Sequence, residues 1–142
     1  MKFPAIETAD FQYSGTKTVI EYVSPELTAV CPKTGLPDFY IIRILYVADK
    51  KLPELKSFKT YLNAYRNFGI WHEHLANKML EDFVSAVAPK WVYVELKANV
   101  RGGILTTVRR FWTKKGDDER RVLELIAGGD KRGSAGSGAE DK

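Results

Sequence analysis

Two β-rich stretches of the chain flank a central region in which apolar residues recur at helical spacing. The first stretch holds predicted strands at residues 16–23 and 39–47, and the second holds predicted strands at residues 91–99 and 101–113. Residues 39–47 (FYIIRILYV) are strongly β-branched and aromatic, which favours extended backbone. The short connections within each stretch predict an antiparallel hairpin.

The central region predicts two helices. From Glu54 onwards the apolar residues follow a helical period, which residues 67–69 (NFG) break. Residues 71–87 form the second predicted helix, and Pro89 ends it because proline cannot continue a helix. The expected core residues are Leu55, Phe58, Leu62 and Tyr65 in the first helix and Leu75, Met79, Phe83 and Ala86 in the second.

The element order β-β-α-α-β-β predicts an α+β fold, with an antiparallel four-stranded sheet and both helices on one face. Such a sheet leaves open edges and one uncovered face, which are commonly buried against further copies of the same chain. Residues 15–127 would form this domain, preceded by an irregular arm at residues 1–14. Residues 128–142 are rich in Gly, Ser and charge, which predicts a disordered tail.

Composition limits the compartment and the class of partner. The 142 residues are enough for one domain, and no apolar run approaches the ~20 residues that a membrane span needs. A single cysteine allows no internal disulfide, and no secretion signal is recognised, so we expect a cytoplasmic protein. The net charge of +4 at pH 7 indicates an anionic partner, either nucleic acid or a phosphorylated small molecule.

The only cysteine lies in residues 31–38, with the sequence CPKTGLPD, here called the cysteine loop. Proline fixes φ at about −65° and glycine permits positive φ, so these residues predict a tight, stiff loop. Such a loop can hold the Cys31 thiol and the Asp38 carboxyl group close together, as covalent catalysis at an electrophilic carbon requires. The alternative is a buried structural cysteine beside a surface turn.

Two histidines and an acid follow one another as His72, Glu73 and His74. On a helix the two histidines would point to different faces, so they chelate a metal poorly, although a zinc site that includes Cys31 is conceivable. Glu73 is either an ordinary acid stabilised by a helix start or a carboxylate that accepts hydrogen bonds from a purine-like ring.

Basic residues gather in three places. Lys56, Lys59 and Arg66 follow one helix face, which is either solvated or binds phosphates. Arg101 precedes two glycines, which would let the backbone approach a ligand closely. Residues 109–115 are either a nucleic-acid surface or an ordinary solvated strand end.

Taken together, four segments resemble the QueF family, the NADPH-dependent 7-cyano-7-deazaguanine reductases of queuosine biosynthesis. These segments are the cysteine loop, residues 54–59 (ELKSFK), His72-Glu73 and Arg101-Gly102-Gly103. The resemblance implies the tunnelling fold, β-β-α-α-β-β, and a nitrile reductase that uses two NADPH per turnover and no metal.

The resemblance also implies residue roles. Cys31 would attack the nitrile carbon as a thiolate and form a covalent thioimidate, while Asp38 would protonate the nitrile nitrogen. Glu73 and His72 would bind the substrate ring. The remaining implied residues are Pro53, Glu54 and Leu55 as further substrate contacts, and Lys56, Lys59 and Arg101 as contacts to the NADPH phosphates.

The implied assembly is a homo-oligomer, a decamer of two pentameric rings with sites at the seams between protomers, without direct nucleic-acid or membrane binding. Two other functions stay open. One is a zinc-dependent hydrolase of pterins or GTP with the same fold, which would use Cys31 and the histidines. The other is a basic RNA-binding module that would use residues 109–115.

Overall fold

The computed structural model of the chain describes residues 2–114 and Ile126. Four long antiparallel strands form one sheet, in the spatial order second, third, fifth and sixth strand of the chain. This architecture confirms the predicted α+β fold, to which a short pair of strands is added. In chain order the elements are β1 (Thr8–Asp10), β2 (Val19–Val30), β3 (Pro37–Val47), β4 (Lys51–Pro53), α1 (Leu55–Asn63), a 3₁₀ turn (Ala64–Asn67), α2 (His72–Val87), β5 (Trp91–Ala98) and β6 (Thr107–Thr113).

Side-chain alternation along β3 separates the two faces of the sheet. Successive residues of a strand point to opposite faces, so every second residue lies under the helices. Phe39 and Ile41 point away from the helices and are 52% and 43% exposed. The residues that face the helices are buried: Asp38, Tyr40, Ile42, Ile44 and Tyr46.

Both helices lie on the same face of the sheet, as predicted. Phe58 of α1 and Phe83 of α2 meet edge to face with their ring centroids 6.1 Å apart. Phe83 also packs against Tyr46 of β3, with a centroid distance of 5.0 Å. Full burial of side chains of this size stabilises the fold by about 1.5–3 kcal/mol each, which fixes the helices on the sheet.

The first helix buries part of the predicted face, but Leu55 lies outside the core and Tyr61 inside it. The α-helix ends at Asn63 and continues as the 3₁₀ turn. Leu55 was expected in the core but is 56% exposed, whereas Phe58, Tyr61 and Tyr65 are buried. These three residues are spaced by three and four positions, which places them on one side of a helix.

Three further expectations need correction. β2 begins at Val19 and runs to Val30, well beyond residue 23. Residues 101–104 form a turn rather than the start of the last strand, and Gly102 and Gly103 have positive φ there. The arm at residues 1–14 is not wholly irregular, since it contains β1, which pairs with β4.

The predicted tail, residues 128–142, and the predicted domain end at residue 127 lie outside the described residues. Within residues 2–114, neither helix has the length and apolar character needed to cross a membrane.

Candidate active site

Backbone hydrogen bonds hold the cysteine loop at the end of the β2–β3 hairpin. Val30 and Pro37 pair across the two strands. The Cys31 N–H donates to the Leu36 carbonyl, and the Gly35 N–H donates to the Cys31 carbonyl, each at 2.9 Å. Gly35 has a φ of 73°, which side chains with a Cβ rarely adopt. The loop is therefore tight, as the sequence predicts.

Hydrogen bonds inside the loop lower the pKa of the Cys31 thiol to about 7. The Thr34 hydroxyl contributes most, followed by the backbone N–H groups of Thr34 and Lys33. The positive charge of Arg101 acts in the same direction, while partial burial opposes it because burial disfavours the charged form. Near neutral pH about half of the thiol is thiolate, which is the nucleophilic form of cysteine.

Asp38 lies buried at the start of β3, with 6% of its surface exposed. Its Oδ1 forms an ion pair with Nη1 of Arg101, although within the described part of the chain this oxygen accepts no hydrogen bond of normal geometry. Its Oδ2 accepts a hydrogen bond from the Tyr40 hydroxyl at 3.4 Å. Because Arg101 stabilises negative charge, the structure presents Asp38 as a carboxylate.

The start of α2 is brought to the same region by a short bridge. The Val30 N–H donates to the Phe68 carbonyl, and the Ile70 N–H donates to the Val30 carbonyl, both at 3.0 Å. This bridge fixes the segment that leads into α2 beside the last residue of β2. His72 and Glu73 then follow directly as the first residues of α2.

His72 and Glu73 contact each other and lie close to Tyr40. His72 Nε2 lies 3.5 Å from Glu73 Oε2, and the His72 ring meets the Tyr40 ring edge to face at 6.1 Å. Burial raises the pKa of Tyr40 to about 12, and the negative charges of Cys31 and Glu73 add to this shift. Cys31, Asp38, His72, Glu73 and Arg101 therefore form one cluster around Tyr40.

The other predicted residues lie at the start of α1. The Glu54 carboxylate caps this helix and accepts hydrogen bonds from the Lys56 and Ser57 N–H groups at 2.8 and 2.9 Å. These hydrogen bonds lower the pKa of Glu54. Leu55 is exposed, as are Lys56 and Lys59, whereas Pro53 is buried in the pairing of β4 with β1.

Within one chain, the start of α1 and the cysteine cluster lie apart. Leu55 lines a groove together with Tyr22 and Ser24 of β2, and Cys31 follows the last residue of that strand. Seven residues of β2 separate Ser24 from Cys31, which is about 23 Å at a strand rise of about 3.3 Å per residue. Leu55 therefore lies beside the first half of β2, whereas the cysteine cluster lies beyond the last residue of that strand.

The basic strand end proposed as a nucleic-acid surface carries acidic partners. Arg109 Nε lies 3.4 Å from Glu95 Oε2, and Arg110 Nη1 lies 2.9 Å from Glu81 Oε2. Lys114 forms a further ion pair with a carboxylate at 2.7 Å. Each of these positive charges is therefore compensated locally, which weakens the electrostatic case for nucleic-acid binding there.

The histidine pair has the geometry that its spacing predicts. His72 is half-buried against Tyr40, whereas His74 is exposed. Within residues 2–114 and Ile126, no three or more His, Cys, Asp or Glu side chains are grouped so as to hold a metal ion.

Thr34 and Tyr40 were not predicted as site residues. Thr34 was treated only as part of the cysteine loop, although its hydroxyl contributes most to the low pKa of Cys31. Tyr40 was treated only as part of a strand. The period-two rule offered a signal for it, because residues two apart on a strand share a face and Tyr40 follows Asp38 at that spacing.

The fold and the cluster together define an enzyme of the tunnelling-fold class that carries an activated thiol. The solved structure of an archaeosine synthase QueF-Like in the apo form is similar to this chain, with a TM-score of 0.63 and 25% sequence identity. The similarity covers 68% of this chain and 94% of that one.

The family model for QueF-like protein matches residues 37–117. A relative from Chlorobium phaeovibrioides is 45% identical over 116 residues, which cover 82% of this chain and 100% of the relative. A relative from Chloroherpeton thalassium is 48% identical over 108 residues, which cover 76% and 93%. Both relatives are named NADPH-dependent 7-cyano-7-deazaguanine reductase. This chain belongs to the QueF family.

Proposed function

We propose that this chain is an NADPH-dependent nitrile reductase that converts 7-cyano-7-deazaguanine into 7-aminomethyl-7-deazaguanine in queuosine biosynthesis. The observation that carries the proposal is the Cys31 thiol, whose pKa is lowered to about 7 next to the Asp38–Arg101 ion pair. A nitrile carbon is electrophilic, and a thiolate is the nucleophile suited to attack it. The names of the relatives support the same reaction.

The first step in this proposal forms a covalent thioimidate. The Cys31 sulfur bonds to the nitrile carbon, one π bond of the C≡N group breaks, and its electron pair moves to nitrogen, which takes up a proton. Asp38 accepts that proton from the thiol and delivers it to the nitrogen, so Asp38 ends the step unchanged. This role requires a carboxylate before substrate arrives, and Arg101 stabilises that form.

Bound NADPH would supply hydride, and two hydrides with two protons complete the conversion of the nitrile to the aminomethyl group. Lys56 and Lys59 are exposed, and neither forms an ion pair with another described residue, so both fit contacts to the NADPH phosphates. Arg101 fits this role less well, because Asp38 already engages its guanidinium group.

Glu73 and His72 form the substrate-binding pair of the proposal. The Glu73 carboxylate is exposed in the first turn of α2, where the helix dipole favours negative charge. It would accept hydrogen bonds from the ring N–H and amino groups of the deazaguanine. A base that lacks these donors would leave the carboxylate unpaired in the complex, which gives selectivity.

We propose further that two copies complete each site, within a decamer of two pentameric rings. The placement of Leu55 beside the first half of β2, with Cys31 beyond the last residue of that strand, supports this, because a second copy can bring residues 53–55 to the cysteine cluster. Leu55 and Trp71 are 56% and 45% exposed and offer apolar surface for such contact. The cytoplasm is the proposed compartment, since one cysteine allows no internal disulfide.

The reaction is tested by mixing the protein with 7-cyano-7-deazaguanine and NADPH and following the loss of nicotinamide absorbance. We expect oxidation that depends on the nitrile. Without NADPH, the intact protein should gain the mass of one substrate per chain, and Cys31→Ala should gain none. Absence of oxidation by the wild type would refute the reductase, and an adduct on Cys31→Ala would refute the assigned nucleophile.

The shared site is tested by co-expressing two inactive variants, Cys31→Ala and Leu55→Asp, in one cell. If each site combines two copies, mixed oligomers should regain about a quarter of wild-type turnover, because about one interface in four carries both intact halves. The two variants mixed as separately purified, non-exchanging oligomers serve as the control. Light scattering should give the mass of ten chains, and a monomer with full activity would refute the shared site.

A further inference from the structure

We propose that Tyr40 is a positioning residue that orients the Asp38 carboxylate for proton transfer between the Cys31 sulfur and the substrate nitrogen. The inference rests on the proposed function and adds to it a residue that does not itself touch the reacting atoms.

Tyr40 lies within hydrogen-bond distance of the Asp38 carboxylate. Asp38 and Tyr40 are two residues apart on β3 and point to the same, helix-covered face. The Tyr40 hydroxyl donates to Oδ2 of Asp38 at 3.4 Å, while Arg101, on the turn between β5 and β6, forms an ion pair with Oδ1. The ion pair on Oδ1 and the long hydrogen bond on Oδ2 together restrict the direction of the carboxylate.

Packing holds the Tyr40 side chain rigidly in place. Only 1% of the Tyr40 surface is exposed, and its ring packs edge to face against the His72 ring at 6.1 Å. A buried aromatic ring that packs on a helix start cannot swing away from Asp38 without opening the core. The hydroxyl is thus held in place by packing.

The groups around Tyr40 keep its hydroxyl protonated. The groups that face Tyr40 are Asp38 on its own strand, Cys31 in the loop, His72 and Glu73 on α2, and Arg101 on the β5–β6 turn. Burial first, and then the negative charges of Cys31 and Glu73, raise the pKa of Tyr40 to about 12. The Tyr40 hydroxyl therefore stays protonated near neutral pH. It is the donor in its hydrogen bond to the Asp38 carboxylate.

The consequence is a specific pH dependence. Adduct formation without NADPH needs one proton shared between Cys31 and Asp38, so its rate should fall at low pH, where both groups are protonated, and at high pH, where neither group has a proton to give to the nitrogen. The Tyr40 hydrogen bond favours the carboxylate, so its removal should move the rising limb to higher pH. The falling limb belongs to Cys31, whose hydrogen bonds come from Thr34 and Lys33 rather than from Tyr40, and should stay near pH 7.

The experiment compares Tyr40→Phe with a matched control, Tyr46→Phe. Tyr46 is equally buried on the same strand face, but its hydroxyl contacts that of Tyr22 at 2.9 Å and is remote from Asp38. For Tyr40→Phe we expect substrate affinity, from fluorescence titration, to stay within about 2-fold and adduct formation on the rising limb to slow by about 10-fold. Its rising limb should move up by about one pH unit, whereas Tyr46→Phe should keep the wild-type profile.

A double-variant cycle separates positioning from general damage. In the Asp38→Asn background, Tyr40→Phe should have no further effect on the adduct rate, because the residue acts through Asp38. A wild-type pH profile in Tyr40→Phe, a loss that persists in the Asp38→Asn background, or equal shifts of both limbs would overturn the inference. None of these outcomes touches the proposed reductase, which instead falls if the wild type itself forms no adduct.

Discussion

A tyrosine–carboxylate–cation group at the cysteine cluster and another between the helices look alike in composition and differ in geometry. In the first, Tyr40 donates to Asp38 at 3.4 Å, and Arg101 pairs with the other carboxylate oxygen. In the second, between the helices, Tyr61 donates to Asp82 at 2.5 Å, and Lys78 donates to the same oxygen at 2.6 Å.

The second group is closed by further contacts. The Tyr61 and Tyr65 hydroxyls lie 2.6 Å apart, and the Lys78 ammonium lies 3.8 Å from the centre of the Phe3 ring. Burial and these neighbours raise the pKa of Tyr61 far above its ordinary value. Short hydrogen bonds to Oδ2 of Asp82 make this group a structural connection between α1, α2 and the N-terminal arm.

The first group is left incomplete. Oδ1 of Asp38 is buried and accepts no hydrogen bond of normal geometry from the described residues. An underused acceptor next to a thiol with a lowered pKa is poised to take up a proton. The contrast teaches that the burial and pairing of a carboxylate, rather than its residue type, distinguish a reactive group from a structural one.

The largest expected effect comes from the matched substitutions Asp38→Asn and Asp82→Asn. Asp38→Asn removes the proton carrier and should slow adduct formation by about 10²–10⁴-fold while substrate binding persists. Asp82→Asn should leave turnover intact but lower the free energy of unfolding by about 1 kcal/mol, since the ion pair with Lys78 is lost. Adduct kinetics by mass spectrometry and urea unfolding check the two results.

The opposite results for Asp38→Asn and Asp82→Asn would contradict the comparison. If Asp82→Asn lost activity at full stability, the second group would have to be reactive. If Asp38→Asn abolished substrate binding, the carboxylate would bind the ring rather than carry a proton.

A smaller effect is expected at Glu73, which the proposal assigns to binding. In Glu73→Ala, ring donors that have left water meet no acceptor, so substrate affinity should fall at least ~10-fold. Glu81→Ala is the matched control, because Glu81 is an exposed acid of the same helix far along from its start. Fluorescence titration of substrate measures both variants. Equal affinities for the two would remove Glu73 from the substrate site.

The smallest effect is expected at Thr34, which sharpens the description of the thiol. Thr34→Ala removes the largest contribution to the low pKa of Cys31, so the midpoint of iodoacetamide alkylation should rise from about 7 by about one pH unit. A less acidic thiolate is intrinsically more nucleophilic, so alkylation should be about 2-fold slower at pH 7 but faster at pH 9. Thr28→Ala, on β2, is the control. An unchanged midpoint in Thr34→Ala would mean that the backbone N–H groups and Arg101 are sufficient.

Much of the fold could be predicted from local patterns. The β-branched run at residues 39–47 and the helical period after Pro53 depend on neighbours within one turn or one strand. The sequence missed β1, because three residues form a strand only when a partner lies beside them. It also placed Leu55 in the core, because the period alone does not tell which of two adjoining apolar stripes meets the sheet.

Within the site, the cysteine loop was predictable because proline and glycine restrict the backbone residue by residue, whatever the rest of the molecule does. The sequence also indicated Cys31 and Asp38 as candidate reactive groups and Glu73 as a candidate substrate contact. Only the tertiary structure decided that Arg101 pairs with Asp38, that Tyr40 joins them, and that Leu55 lies beside the first half of β2 rather than at its end. Those relations depend on which surfaces meet when distant segments pack, and such contacts leave no local pattern in the chain.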